Sequence, residues 1–301
     1  MSASSEHAFP DPAPPEMSGI SRPSFLRQLR HATRSAPVLI ALAVLSLVTI
    51  AAIFANLLWT VDPIAIDPGQ RFAPRSALNW LGTDAFGRDV YSRVLYGARV
   101  SLIVGAGAAA ISIVLGLVIG VFAGYFHKID MIAMRVMDGV MAIPSILLAI
   151  ALISLTGATL ATVLVAIIVP EVPRVVRLVR GVILNVRTEP YVEAAVSLGT
   201  PLWRMLSRHM VPATVAPLIV QGTFIFASAI LTEATLSFLG AGLPSEIPSW
   251  GNMMADGRKY FQIYPGLVFY PGLVLALTLL STNILGDVLR DILDPKMAKR
   301  T

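Results

Sequence analysis

Four stretches of this chain run without a charged residue for long enough to cross a bilayer: Val38 to Val61, Val100 to Phe126, Thr214 to Thr232 and Ile263 to Gly286. A hydrocarbon core of about 30 Å needs about 20 apolar residues wound as a helix, so each stretch is read as a membrane span. Only 14% of the 301 residues are charged and 55% are hydrophobic. A soluble domain carries about 25% charged residues, so the composition sets the chain among integral membrane proteins.

A fifth charge-free stretch, Gly139 to Pro170, is harder to place. As one helix it would be about 48 Å long at 1.5 Å per residue, too long for comfort, and it is too short for two complete spans. A hairpin turning at Ser154 to Gly157 solves this if both arms extend past their flanking charges. The first arm then starts near Met131 and includes Asp138, and the second runs past Glu171 to Val179. Basic residues concentrate on the cytoplasmic side of membrane proteins. Six spans place most of the 23 basic residues on one side, together with both termini, whereas five would strand the basic C-terminus outside. The expectation is six helices with both termini and the loop around Glu193 in the cytoplasm.

The first apolar stretch lies too far into the chain, and is too long, for an ordinary cleaved signal peptide, so it reads as a retained helix. Residues 1 to 36 form a cytoplasmic N-terminal tail, partly disordered by composition over its first twenty or so residues. Residues 37–97 hold the first helix and an outer loop. Residues 98–288 hold the core, with a polar loop at 189–213, and residues 289–301 form a C-terminal tail. Within the first outer loop, Val90 to Leu95 is amphipathic and is expected to lie along the interface near Tyr91 and Tyr96. The outer loop from Ala241 to Gln262, with Pro244, Pro248, Trp250 and Gly251, is expected to fold as a cap.

The polar loop is the stretch most suited to meet a water-side partner. Glu189, Pro190 and Tyr191 lead into a helix-forming run, Val192 to Leu198. Gly199 can leave the helical region without a Cβ penalty, and Pro201 suits the first turn of a second helix, Leu202 to Arg208. Leu202 and Leu206 share one face of that helix, Arg204 and Arg208 the other, and Pro212 precedes the next apolar stretch. Two short helices at an angle make a docking knob.

The spacing Glu193-Ala194-Ala195, three residues, Gly199, then a block His209 to Pro212, resembles the E-A-A loop of binding-protein-dependent ABC importers. Leu81-Gly82-Thr83-Asp84 with Gly87-Arg88-Asp89 is similar to the second permease subunit of dipeptide, oligopeptide and nickel importers. So are Ser237-Phe238-Leu239-Gly240 and Pro248-Ser249-Trp250-Gly251-Asn252. Pro170-Glu171-Val172-Pro173 departs from that pattern. The resemblance covers about residues 78 to 295. It implies an all-α, type I importer transmembrane domain in the bacterial inner membrane, with Glu193, Ala194, Ala195, Gly199, His209 and Pro212 in the ATPase-coupling loop. It implies a homologous permease as partner, two ATPase subunits that bind ATP and magnesium, and an extracytoplasmic binding protein. Short peptides are the leading cargo it implies; a nickel chelate, an opine or a glutathione-like compound stays open.

Gly116, Gly120 and Gly124 recur every fourth residue in the second span. Small residues at that spacing let membrane helices approach closely, here within the chain or against a partner. Asp138 and Glu233 are ionisable groups inside expected spans, where they are costly. Counted from the hairpin turn, Asp138 and Arg174 share a depth, which predicts an interhelical ion pair, with a role in gating or substrate passage as the alternative. Glu233 should sit near the outer end of its span, where structure and contact with a gate or binding protein both compete as its role.

Cysteine is absent, which excludes disulfides and thiolate chemistry. No Walker-type phosphate loop, H-E-x-x-H or G-x-S-x-G is present, so the chain carries no ATP site of that kind and no recognisable hydrolase centre. His7, His31, His127 and His209 are scattered and form no metal set. No basic cluster interleaved with aromatics suits nucleic acid. An ion-coupled secondary transporter should show two related halves with paired discontinuous helices, and the sequence shows no such symmetry. An intramembrane enzyme lacks a nucleophile and base.

Overall fold

The computed structural model describes residues 35–293, so the expectations for the N-terminal tail, and for the C-terminal tail beyond Leu293, lie outside the described residues. In chain order the helices are α1 (Ala36–Ile53), α2 (Val90–Tyr125), α3 (His127–Met141), α4 (Ser145–Thr156), α5 (Leu160–Val186), α6 (Pro190–Ser197), α7 (Leu202–Met205), α8 (Val211–Phe238), α9 (Trp250–Gly257) and α10 (Gly266–Leu293). A π turn, Leu206–Met210, joins α7 to α8. Among the described residues there is no strand, only an isolated bridge between Thr83 and Asp89.

Four helical stretches are long and apolar enough to span a membrane: α1, α2, α7 continued through α8, and α10. The pair α3 and α4 makes a fifth if counted together, bent by 88° at their junction. Here the structure corrects the straight first arm of the expected hairpin. Pro144 caps α4, and a residue before proline is driven out of the helical region, so the chain breaks after Met141. The turn between the arms stands where expected, with Gly157 at φ +84° and a Thr159–Thr162 capping box opening α5. α5 is long enough to span but carries Glu171, Arg174, Arg177 and Arg180 from its middle onward.

Other boundaries move too. α1 stops at Ile53 rather than Val61, because the Arg99 guanidinium donates to the free carbonyls of Ala52 (2.9 Å) and Ile53 (3.0 Å) and caps the helix. The stretch from Val90 to Leu95 does not lie apart along the interface. It forms the first turns of α2, started by Asp89, whose carboxylate accepts from the backbone N–H of Ser92 at 2.7 Å. At the other end, residues 289–293 continue α10 rather than joining the tail.

α2 and α5 form the centre of the molecule. A Cβ added at Gly116 would lie 2.4 Å from the Val175 side chain, one at Gly120 2.7 Å from Val179, and one at Gly124 2.7 Å from Ile183. The glycine stripe therefore packs inside this chain, each glycine receiving one β-branched side chain of α5. Val175, Val179 and Ile183 are fully buried in the resulting cluster.

The end opposite the Glu193 loop is closed by a knitted cap. Trp250, fully buried, donates its indole N–H to the Val94 carbonyl at 3.1 Å. Arg88 bridges Asp84 (2.6 Å) and Asp256 (3.0 Å), while Arg93 donates to the carbonyl of Pro63 at 3.1 Å. The Asn252 amide donates to the carbonyls of Leu243, Pro244 and Ile247, holding the loop before α9 in one shape.

The seam makes a direct prediction. Gly116→Ala is expected to destabilise the solubilised protein by about 1–3 kcal/mol through overpacking. Gly181→Ala on α5, where an added Cβ meets nothing within 4 Å, is expected to be neutral or stabilising by about 0.5–1 kcal/mol. Thermal melting of both variants in detergent checks the contrast.

Candidate functional site: an exposed coupling loop

The loop from Glu189 to Pro212 is built by local rules. Pro190 stands in the first turn of α6, where its missing N–H costs nothing. α6 ends at Leu198, and Gly199 takes φ +72°. The Thr200 N–H then donates to Ala195 O (3.1 Å) and the Gly199 N–H to Val196 O (2.9 Å). These two bonds form a Schellman cap, which satisfies the last carbonyls and reverses the chain. Pro201 is the N-cap of α7, one place before the helical turn expected for it.

The second short helix differs from the expected one. α7 covers only Leu202 to Met205 and runs through the π turn into α8, so 202–238 is one helical stretch. The knob is a continuous extension of a membrane helix on one side and a capped helix on the other. Val192 and Ala195 face inward against Met205, Leu206 and Met210. Tyr191 donates its hydroxyl to the His209 carbonyl at 3.3 Å and ties α6 to the π turn.

Among the residues expected to carry coupling, Glu193 and Ala194 are exposed on α6 and Ala195 is buried beneath them. Gly199 and Pro212 are exposed, and His209 is partly buried, its ring nitrogen 3.4 Å from the Arg204 carbonyl. The structure adds two side chains that the sequence pattern passed over. Leu198 is 86% exposed and Trp203 76% exposed. Val196 is exposed as well, as are the charged side chains of Glu193, Arg204 and Arg208. Scattered exposed apolar residues are normal, but a Trp and a Leu held out on adjoining rigid turns are how a docking surface is made.

The intramembrane charges are arranged differently from the expectation. Asp138 pairs with Arg177 at 2.5 Å, not with Arg174. Arg174 instead pairs with Glu171, three residues earlier on the same helix, at 2.7 Å. Depth along the helices is matched as expected, but the direction in which each side chain leaves α5 selects the partner. Arg180 makes a second link to α3, holding Asp130 through two bonds, one of them 2.7 Å. Glu233 is 0% exposed, and one of its oxygens accepts the hydroxyls of Ser237 and Ser249, each at 2.8 Å. Ser249 is the N-cap of α9, so Glu233 fastens the cap to α8 and offers no surface to a partner. Among the described residues, no three His, Asp or Glu side chains gather as a metal site.

Residues 100–299 match the family model described as "Binding-protein-dependent transport system inner membrane component". The chain belongs to this family. It is an inner membrane protein that crosses the bilayer more than once. It is 52% identical over 243 residues to a probable peptide ABC transporter permease protein of Sinorhizobium fredii, covering 81% of this chain and 84% of that one. It is 40% identical over 281 residues to a putative peptide transport system permease protein of Brucella suis, covering 93% and 95%. A dipeptide transport system permease protein of Alkalihalophilus pseudofirmus is 38% identical over 289 residues, covering 96% and 95%.

The corrected pairing is testable by charge reversal. Asp138→Arg with Arg177→Asp in one chain should restore more assembled permease than either change alone. Asp138→Arg with Arg174→Asp should restore none. Yield of monodisperse complex after size-exclusion chromatography distinguishes the two pairings.

Proposed function

We propose that this chain is the non-catalytic transmembrane subunit of an ATP-driven importer of short peptides. It crosses the inner membrane six times, with both termini in the cytoplasm. It works as half of a pore with a homologous permease. Two ATPase subunits, which bind ATP and magnesium, dock on the knob from Glu189 to Pro212, and an extracytoplasmic binding protein delivers the cargo. The observation that carries this is the knob: a Schellman-capped helix with Glu193 and Ala194 exposed and Ala195 buried beneath them, in a chain of the binding-protein-dependent family. Peptide cargo is supported by the peptide and dipeptide transport permeases that this chain matches nearly end to end.

The mechanism follows from the way the knob is joined to the core. Nucleotide binding and hydrolysis in the partner ATPases favour different spacings of the two docking sites, and a ligand shifts conformations only by binding them differently. Because α7, the π turn and α8 are continuous, displacement of the knob is displacement of α8. α8 and the α2–α5 pair then move as bodies against the second permease, exposing the pathway to one side at a time.

Glu193→Lys and Gly199→Pro should leave the protein inserted but abolish the stimulation of ATPase activity by loaded binding protein. Trp203→Ala should weaken ATPase docking by about 2 kcal/mol or more, as expected of an aromatic anchor. Co-purification with the ATPase and hydrolysis in proteoliposomes measure both; normal coupling in all three variants would refute the docking role. Uptake that persists with a protonophore at maintained ATP is expected, and collapse of uptake would indicate an ion-coupled carrier.

A further inference from the structure

Between α5, α8 and α10 lies a cavity of about 310 Å³ whose lining includes Glu171, Arg174, Gln221, Ser228 and Asn283. It shares Gln221 and Phe224 with a wider cavity of about 900 Å³ that reaches Pro212, Arg290 and Leu293 at the coupling-loop ends of the same helices. At 1.5 Å per residue, the polar residues of the smaller cavity lie about 15 to 25 Å from those ends, in the middle of the spans. Charged side chains at that depth are costly and stay out of lipid.

The Glu171–Arg174 pair is unlike the other two ion pairs of α5. Arg177 to Asp138 and Arg180 to Asp130 each cross to α3 and tie two helices together. Glu171 and Arg174 lie three residues apart on one helix, so their bond joins no elements. The one side-chain link from another helix is weak, the Ser228 hydroxyl 3.4 Å from Glu171. Glu171 is nearly buried, whereas the Arg174 side chain is half exposed in the cavity. The pair therefore sets one negative and one positive group side by side in a mid-membrane cleft, among neutral amides and a hydroxyl.

We infer that Glu171 and Arg174 form a transit subsite for zwitterionic peptides, Glu171 receiving the cargo's ammonium end and Arg174 its carboxylate end. The inference rests on the importer function proposed above and assigns that pathway its polar contact on this subunit. A peptide with free termini carries the same two charges as the pair, and Gln221, Ser228 and Asn283 offer hydrogen bonds suited to its amide. The cavity is at the small end of ligand pockets, which run from about 300 to 1,000 Å³. That size suits a cargo passed along in contact with a few groups.

The absence of cysteine from the chain makes the test clean. Leu231 lines the same cavity, so Leu231→Cys in the full complex, held in lipid nanodiscs, reports access to it. Modification by a water-soluble methanethiosulfonate is read on this chain by mass, with and without dialanine or N-acetyl-dialanine amide. Dialanine should slow modification where the blocked peptide does not. Adding Glu171→Gln should raise the dialanine concentration needed by about tenfold, the scale of one lost hydrogen bond to a charged group. Equal protection by both peptides, or by neither, would overturn the subsite. Failure of the Leu231→Cys variant to react in the assembled complex would do so too, since the cleft would then be filled by the second permease. ATP-driven dialanine uptake by the wild-type complex is measured in parallel. Its absence refutes the importer function itself, while uptake without terminus-dependent protection refutes only the subsite.

Discussion

The close approach of α2 and α5 along Gly116, Gly120 and Gly124 fixes the direction of every other side chain on α5. Lipid supplies no hydrophobic force between helices, so contact must come from packing, and backbones pack closest where one side has no Cβ. Once Val175, Val179 and Ile183 are locked into that seam, α5 cannot rotate. A helix turns about 100° per residue, so the remaining positions are assigned to its flanks by arithmetic. One flank carries Glu171, Arg174, Leu178, Val182 and Asn185, which line the two cavities beside α8. The other carries Arg180, with Arg177 on the back, and both reach α3. Three glycines thus separate the charges that hold the bundle together from the charges that face the cleft.

A second constraint acts along the chain rather than across it. From Leu202 to Phe238 there is one helical stretch, interrupted only by the π turn at Leu206–Met210. Its near end carries Trp203 on the knob, and its far end carries Glu233, bonded to the cap through Ser249. Single-turn π segments inside α-helices re-aim a face without breaking the backbone ladder. Here the turn lets α7 lean against α6 through Met205 and Leu206 while remaining continuous with α8. Knob and cap are therefore opposite ends of one continuous helical stretch.

Where one local rule decides the outcome, the sequence is enough. Gly199 needs only its missing Cβ and the helix before it, and the Gly157 turn only the length of a charge-free stretch. The glycine stripe is visible from spacing, though whether it packs inside the chain depends on the partner helix. Arg174 falls on the wrong partner because depth along a helix is countable from sequence while azimuth is not, and Arg177 shares nearly the same depth. Glu171 stands out only as a departure from a family pattern, since its meaning depends on Ser228, 57 residues away. The break between α3 and α4 escapes a reading by length, although Pro144 signals it, because a charge-free run weighed for its reach is not weighed as a helix with an end.

The cleft also limits what can lie against this face of the chain. Glu171 and Arg174 lie at a depth where the surroundings are hydrocarbon unless protein or water replaces it, and a half-exposed guanidinium is not stable against lipid tails. On this chain the cleft has walls on three sides, α5, α8 and α10, and the lining of the wider cavity is largely apolar. The fourth side must be supplied by water or by another protein surface that encloses it, not by lipid tails. The charges that make this face unsuited to lipid are those that a pathway for charged cargo requires.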